Sequence, residues 1–300
     1  MQVSPAYALH VSHAYAVHLG TQRMPARGAA HHQWKGTHPM TAGHCSRFTG
    51  KVAVVTGGSR GIGAAVATRL AAEGASVVIG YRGNEQAAQA VVTALSAEGA
   101  RVVALCADVA EPHQTRALFE RTMDQFGRLD VLASCAGVEH FDALENISPA
   151  DFDRVFAVNT RGQLFAAQYA AAHMGAGGRI VLTSSVSASR AVFGHTLYAA
   201  SKAAVEAMVL NLSAELGQRG ITMNAIAPGG TATDMAAEHA PGYQHPALRG
   251  TMPLSRWLEV HGALGRLAEP REVAAGYAFL ASDDAAYLTG RTLPLDGGFF

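Results

Sequence analysis

From residue 48 onward the sequence predicts a single doubly wound α/β domain, a parallel sheet with helices on both faces. Three observations predict it. Short runs rich in Val, Ile and Ala recur along the chain, stretches of helical period separate them, and glycines mark the points where a run gives way to a helix. The runs are apolar at nearly every residue rather than at alternate ones, as strands covered on both faces require.

The first run, KVAVVTG, begins at Lys51 and passes into GIGAAVATRLAAEGA, where Ile62, Val66 and Leu70 recur at helical spacing. SVVIG is followed by the helical NEQAAQAVVTALSAEGA, and RVVALCADV by PHQTRALFERTMDQFG. LDVLASCAG precedes a helical stretch over residues 150–174, and GRIVLTSS precedes the helix around Tyr198. GITMNAIAPG and RTLPLD are the last two runs, with the helix PREVAAGYAFLAS between them. Ligands of such sheets bind at the carboxyl ends of the strands where strand order reverses, so the chemistry belongs at those ends. Residues 235–267 are irregular, with Pro241, Gly242, Pro246, Gly250 and Pro253 among Met, Tyr, His and Trp, which suits a substrate lid.

The 300 residues, 49% hydrophobic, suffice for one generous core plus an appendage. Residues 1–47 hold seven of the 14 His and no Asp or Glu, and read as a disordered tail or an upstream-extended frame. A transit peptide would want more Ser and a clear amphipathic period, and a metal site would want ligand spacing; no metal is expected. With 23 basic and 23 acidic residues there is no footprint for nucleic acid or an anionic membrane surface, and no apolar run is long enough to span a bilayer. Three cysteines without C-x-x-C spacing fit a reducing, cytoplasmic setting.

Two local patterns carry chemistry. In LYAASKAAVEAM, Tyr198 and Lys202 lie four residues apart, hence on one helix face. Lys occurs only at Lys35, Lys51 and Lys202, so chance would set a Lys four residues after one of the eight Tyr about 0.08 times in this chain. A phenol titrates near pKa ~10, and a cation one turn away is expected to lower it toward two-way proton exchange. In TGGSRGIG, Gly57 allows a tight turn, Gly61 a close phosphate and Gly63 close helix packing, at the positive end of a helix. The second strand ends Gly80, Tyr81, Arg82 with no acid for a ribose 2′-hydroxyl. Arg82 and Arg60 instead suit a 2′-phosphate, which points to NADP(H).

Together these motifs resemble the short-chain dehydrogenase/reductase family, of Rossmann-like fold, over residues 48–300. The resemblance implies a catalytic set of Asn159, Ser185, Tyr198 and Lys202, with Lys202 also on the nicotinamide ribose and Asn159 supporting a relay water. Ser185 is preferred to Ser184 because its position matches the family pattern, while Thr183 and Ser187 suit packing or turns. The resemblance implies cofactor contacts from Gly57, Ser59, Arg60, Gly61, Ile62 and Gly63, from Tyr81 and Arg82, and from Asp108 and Val109 beside the adenine. Ala136, Gly137, Pro228, Gly229 and Thr231, with Tyr198 and Lys202, complete the set. SCAG replaces the usual N-N-A-G, so local hydrogen bonding at Ser134 and Cys135 should differ; Cys135 reads as a small buried residue before a reactive thiol. The implied activity is interconversion of a ketone and a secondary alcohol by a homotetramer. APGGTATDMAAEH with Tyr243 and Pro246 is similar to polyhydroxynaphthalene and versicolorin-type reductases, although Tyr243, Met252 and Trp257 would equally serve packing. A fatty-acyl thioester ketone, an NAD-dependent alcohol dehydrogenase and a dinucleotide sensor without turnover stay open.

Overall fold

The computed structural model describes residues 46–299. The expected amino-terminal extension lies outside them as far as residue 45. Arg47, assigned to that extension, pairs with Glu73 at 2.7 Å and Asp284 at 3.2 Å, so this residue makes contacts within the fold. A lone ion-pairing residue leaves no trace in hydrophobic period. Burial works to raise the Glu73 carboxyl, but hydrogen bonds from Arg47 and Arg69 outweigh it and hold it below its usual value.

Seven parallel strands form the sheet: β1 (Val52–Thr56), β2 (Ser76–Tyr81), β3 (Val102–Cys106), β4 (Val131–Ser134), β5 (Arg179–Thr183), β6 (Thr222–Pro228) and β7 (Thr292–Leu295). Their order is β3-β2-β1-β4-β5-β6-β7, so the winding reverses between β1 and β4. Each expected run became a strand. Alternate residues serve opposite faces: Ala53, Val55, Val77 and Ile79 join one core, whereas Val54, Val78, Leu132 and Ile180 join the other. Removing each such Val, Leu or Ile side chain from water contributes about 1.5–3 kcal/mol, which outweighs strand propensity.

Helices α1 (Gly61–Ala72), α2 (Glu85–Ala97) and α3 (Pro112–Phe126) lie where the sequence puts them. The stretch read as one helix over 150–174 is instead three pieces, α4 (Pro149–Phe156), a π-helical turn (Ala157–Arg161) and α5 (Gly162–His173). In that turn the Gly162 N–H reaches back to the Ala157 carbonyl, one residue further than an α-helix does. The Asn159 carbonyl takes the Gln163 side-chain amide at 2.8 Å. Ser148 and Asp151 cap α4 reciprocally. Helix α6 (Thr196–Gly217) carries Tyr198 and Lys202.

The irregular segment holds two short helices, α7 (Asp234–His239) and α8 (Leu254–His261), joined by 3-10 turns at Ala240–Tyr243 and Pro246–Leu248. Helix α9 (Pro270–Ala281) then packs on α1. Among the described residues no helix is long and apolar enough to cross a membrane.

Register brings the strand ends level. Thr56 stands opposite both Gly80 and Ser134, Ser134 opposite Leu182, and Thr183 opposite Ile226. The segments that follow these strands therefore gather at one edge.

Candidate active site

A cavity of about 1350 Å³ opens at that edge. All the residues named for the cofactor line it, from the glycine turn at residues 57–63 through Arg82, Asp108 and Gly137 to Thr231, and so do Ser185, Tyr198 and Lys202. Asn159 does not. It is fully buried behind the wall, its side chain accepting from the Val138 N–H at 2.8 Å and donating to the Val138 carbonyl at 2.9 Å and Ser201 Oγ at 3.1 Å.

The glycine turn has the shape of a cradle. Gly57 sits at φ +65, and a Cβ there would lie 2.8 Å from the Ala136 backbone; one on Gly63 would lie 2.2 Å from the Gly57 carbonyl. No side chain caps the amino end of α1, so its first N–H groups face the cavity with the helix dipole behind them. Arg60 is exposed, 3.9 Å from Asp234, and Arg82 forms no ion pair among the described residues. Asp108 turns its carboxylate onto the Ala110 N–H at 2.9 Å, which fixes the bend after β3. Exposed Cys106 donates its thiol hydrogen to the Arg82 carbonyl.

Ser134 and Cys135 sit in a polar web. Thr183 Oγ1 meets the Ser134 carbonyl and the Tyr277 hydroxyl, and Thr56 Oγ1 accepts from the Ala136 N–H at 3.3 Å. Burial pushes the Cys135 thiol up to about 12, so it stays a thiol and makes a poor nucleophile. Thr183 and the strand end are further held by Gln163, which accepts from the Thr183 N–H at 2.8 Å and donates to its carbonyl at 3.0 Å.

Tyr198 and Lys202 face one space, with Nζ 5.4 Å from the phenol ring centroid. The Lys202 ammonium is 2% exposed and donates to the Thr183 carbonyl at 3.0 Å. Burial lowers it to about 8, against an opposing pull from Glu139. The expected lowering of Tyr198 is reversed. Burial, with the Glu139 carboxylate behind it, raises the phenol above its ordinary value, and the Ser185 hydroxyl only partly offsets this. Spacing showed that a cation would be near, but not that Lys202 would be buried and Tyr198 half-buried against the cavity wall. Ser184 is engaged elsewhere, on the Lys202 carbonyl and on Glu206 at 2.7 Å, which leaves Ser185 as the hydroxyl on the Tyr198 side.

Three residues of the site escaped sequence reasoning. His195 stacks on Tyr198 at 4.5 Å between centroids, Phe141 stacks on the other face of His195 at 4.3 Å, and His195 Nε2 lies 2.6 Å from Glu139 Oε1. The glutamate and histidine are 56 positions apart, so no local period links them.

Known proteins resemble the chain over most of its length. A family model described as "Enoyl-(Acyl carrier protein) reductase" matches residues 57–300. Versicolorin reductase 1 of Aspergillus parasiticus is 42% identical over 259 residues, covering 85% of this chain and 98% of that protein. Hydroxynaphthalene reductase-like protein Arp2 of Metarhizium majus is 44% identical over 255 residues, covering 84% and 95%. Among solved structures, a short chain dehydrogenase from Burkholderia cenocepacia in complex with NADP superposes with a TM-score of 0.76 at 41% identity, covering 84% of this chain and 98% of that one.

Proposed function

The chain belongs to the short-chain dehydrogenase/reductase family, and from that premise we propose that it is an NADP(H)-dependent oxidoreductase interconverting a ketone and a secondary alcohol. The observation that carries this reading is the meeting of Ser185, Tyr198 and Lys202 in the same cavity as the glycine cradle. The cradle suits a pyrophosphate, because the missing Cβ atoms at Gly57 and Gly63 let backbone close in and the free amino end of α1 attracts negative charge. Arg60 and Arg82 suit a 2′-phosphate, in keeping with the NADP bound by the Burkholderia relative. When bound, the nicotinamide supplies the hydride.

The chain's own groups manage the proton. Ser185 donates to the carbonyl oxygen and orients it. Tyr198, whose proton is retained by burial, gives that proton to the developing alkoxide. Lys202 carries its charge below about pH 8, where it holds the nicotinamide ribose, and Asn159 positions the wall behind it and the relay water that the resemblance implies. Residues 235–267 close the site as a lid. Phe193, Tyr243, Trp257 and Phe299 give the cavity aromatic walls, and two relatives are named hydroxynaphthalene reductase-like protein and versicolorin reductase, so a flat aromatic ketone is the substrate class.

A fused-ring ketone panel with NADPH and NADH, followed by nicotinamide absorbance, tests the reading. NADPH should be favoured, and Arg82→Ala should weaken it about tenfold while leaving NADH unaffected. Tyr198→Phe should cut turnover about 10²–10⁴-fold while still binding NADPH. Wild-type turnover in that variant, or a preference for NADH in the parent, would overturn it.

A further inference from the structure

Residues 235–261 leave the rim of the cavity and return to it. Apart from bonds within their own helices, turns and caps, a single hydrogen bond ties them to the rest of the protein among the described residues: the Tyr243 phenol donates to Glu139 Oε2 at 2.7 Å. Burial and the adjoining Glu139 keep that phenol protonated, so it remains a donor. The other carboxylate oxygen accepts the His140 backbone N–H at 3.0 Å and faces His195 Nε2 at 2.6 Å. The Glu139 and His195 side chains are 2% and 1% exposed, and His195 Nδ1 is buried with no partner, which leaves Glu139 as the polar group fixing the plane of that ring. The ring in turn lies flat on Tyr198, with an interplanar angle of 10°, and Phe141 closes the circle by meeting Tyr243 edge-on at 5.0 Å.

The catalytic reading leaves this buried carboxylate without a use, and burying one has a large desolvation cost unless several donors converge on it. Here donors come from two sides, one from the lid and one from the support of the catalytic tyrosine. An ionised carboxylate accepts on both oxygens, whereas an amide offers one acceptor and presents donors at the other end.

We propose that Glu139 is a positioning residue: one carboxylate holds the lid through Tyr243 and the ring behind the catalytic phenol through His195, so that lid closure and placement of the phenol are one event. The kinetic consequence rests on the reductase reading, but the tie itself does not. Two measurements on Tyr243→Phe, Glu139→Gln and the double variant separate the two. The first is tryptic cleavage after Arg249 or Arg256 in the lid of the full chain, with no ligand added. Tyr243→Phe keeps the ring and loses only the hydrogen bond, and should speed this cleavage about fivefold. Glu139→Gln should do at least as much, and adding Tyr243→Phe to it should change nothing further. The second measurement is steady-state kinetics with a reduced ketone. Tyr243→Phe should raise KM more than it lowers kcat, and Glu139→Gln should lower kcat as well. Parental lid cleavage in Tyr243→Phe, or an equal increment from that substitution in both backgrounds, would overturn the proposal. Should Glu139→Gln fail to fold, Tyr243→Phe alone decides. Absence of ketone reduction by the parent would refute the reductase reading and leave the cleavage result standing.

Discussion

Lys202 is desolvated beside a backbone carbonyl rather than a carboxylate, so its ammonium is only partly compensated. Its value falls from 10.5 in the open chain to about 8 in the fold. Between those limits the unfolded chain binds more protons, and stability rises with pH across that window. The relief is complete above 10.5 and is lost as pH falls through about 8, so at neutral pH the charge burdens the fold. Lys202→Met should therefore raise stability to urea at about pH 7 by about 1–3 kcal/mol while abolishing turnover. A lowered midpoint would show that the ammonium is fully compensated. The same titration predicts that NADPH binds more weakly at about pH 9.5 than at about pH 7, and that this difference vanishes in Lys202→Met; fluorescence titration of NADPH reads both. Tyr198 and Lys202 were legible because one helix carries both. Their protonation was not, because spacing reports proximity and says nothing of solvation.

The π-helical turn at Ala157–Arg161 is the element that sequence pattern conceals. Residues on either side keep a helical period, and the extra residue only shifts its phase. Its purpose in the fold is visible through Gln163, which fills the widened turn by bonding the Asn159 carbonyl and then clasps both backbone groups of Thr183 at the end of β5. The Thr183 carbonyl keeps the Lys202 ammonium, but truncating Gln163 takes the side-chain partner from the buried Thr183 N–H and the Asn159 carbonyl. Gln163→Ala should cost about 2–4 kcal/mol in urea unfolding, and a loss below about 1 kcal/mol would show that water replaces the amide at no penalty. The helices α7 and α8 were illegible for a different reason. They are only six and eight residues long, and the Pro and Gly that punctuate their flanks read as loop throughout.

At the scale of the whole molecule, the strands of the sheet were legible because β1, β2, β4, β5 and β6 are buried on both faces and say so residue by residue. The cavity at its edge was legible where its residues are contiguous, as in the glycine turn, and illegible where β4 and α6 bring together Glu139, Phe141 and His195 from distant stretches. The expected homotetramer belongs to this scale. Phe152, Leu164 and Leu210 on α4, α5 and α6 are 48%, 37% and 61% exposed, apolar surface of the kind that a partner copy covers. Light scattering coupled to size exclusion should return about four times the 31.2 kDa chain mass, and a monomer mass would refute it.

Cys106 and Cys135 differ in a way that can be put to use. A maleimide dye should attach readily to the first and ignore the second, whose proton stays on well above neutral pH. Because the Cys106 sulfur bonds the carbonyl of Arg82, such a label would stand next to the phosphate end of a docked dinucleotide. Its emission would then report docking without any catalytic turnover.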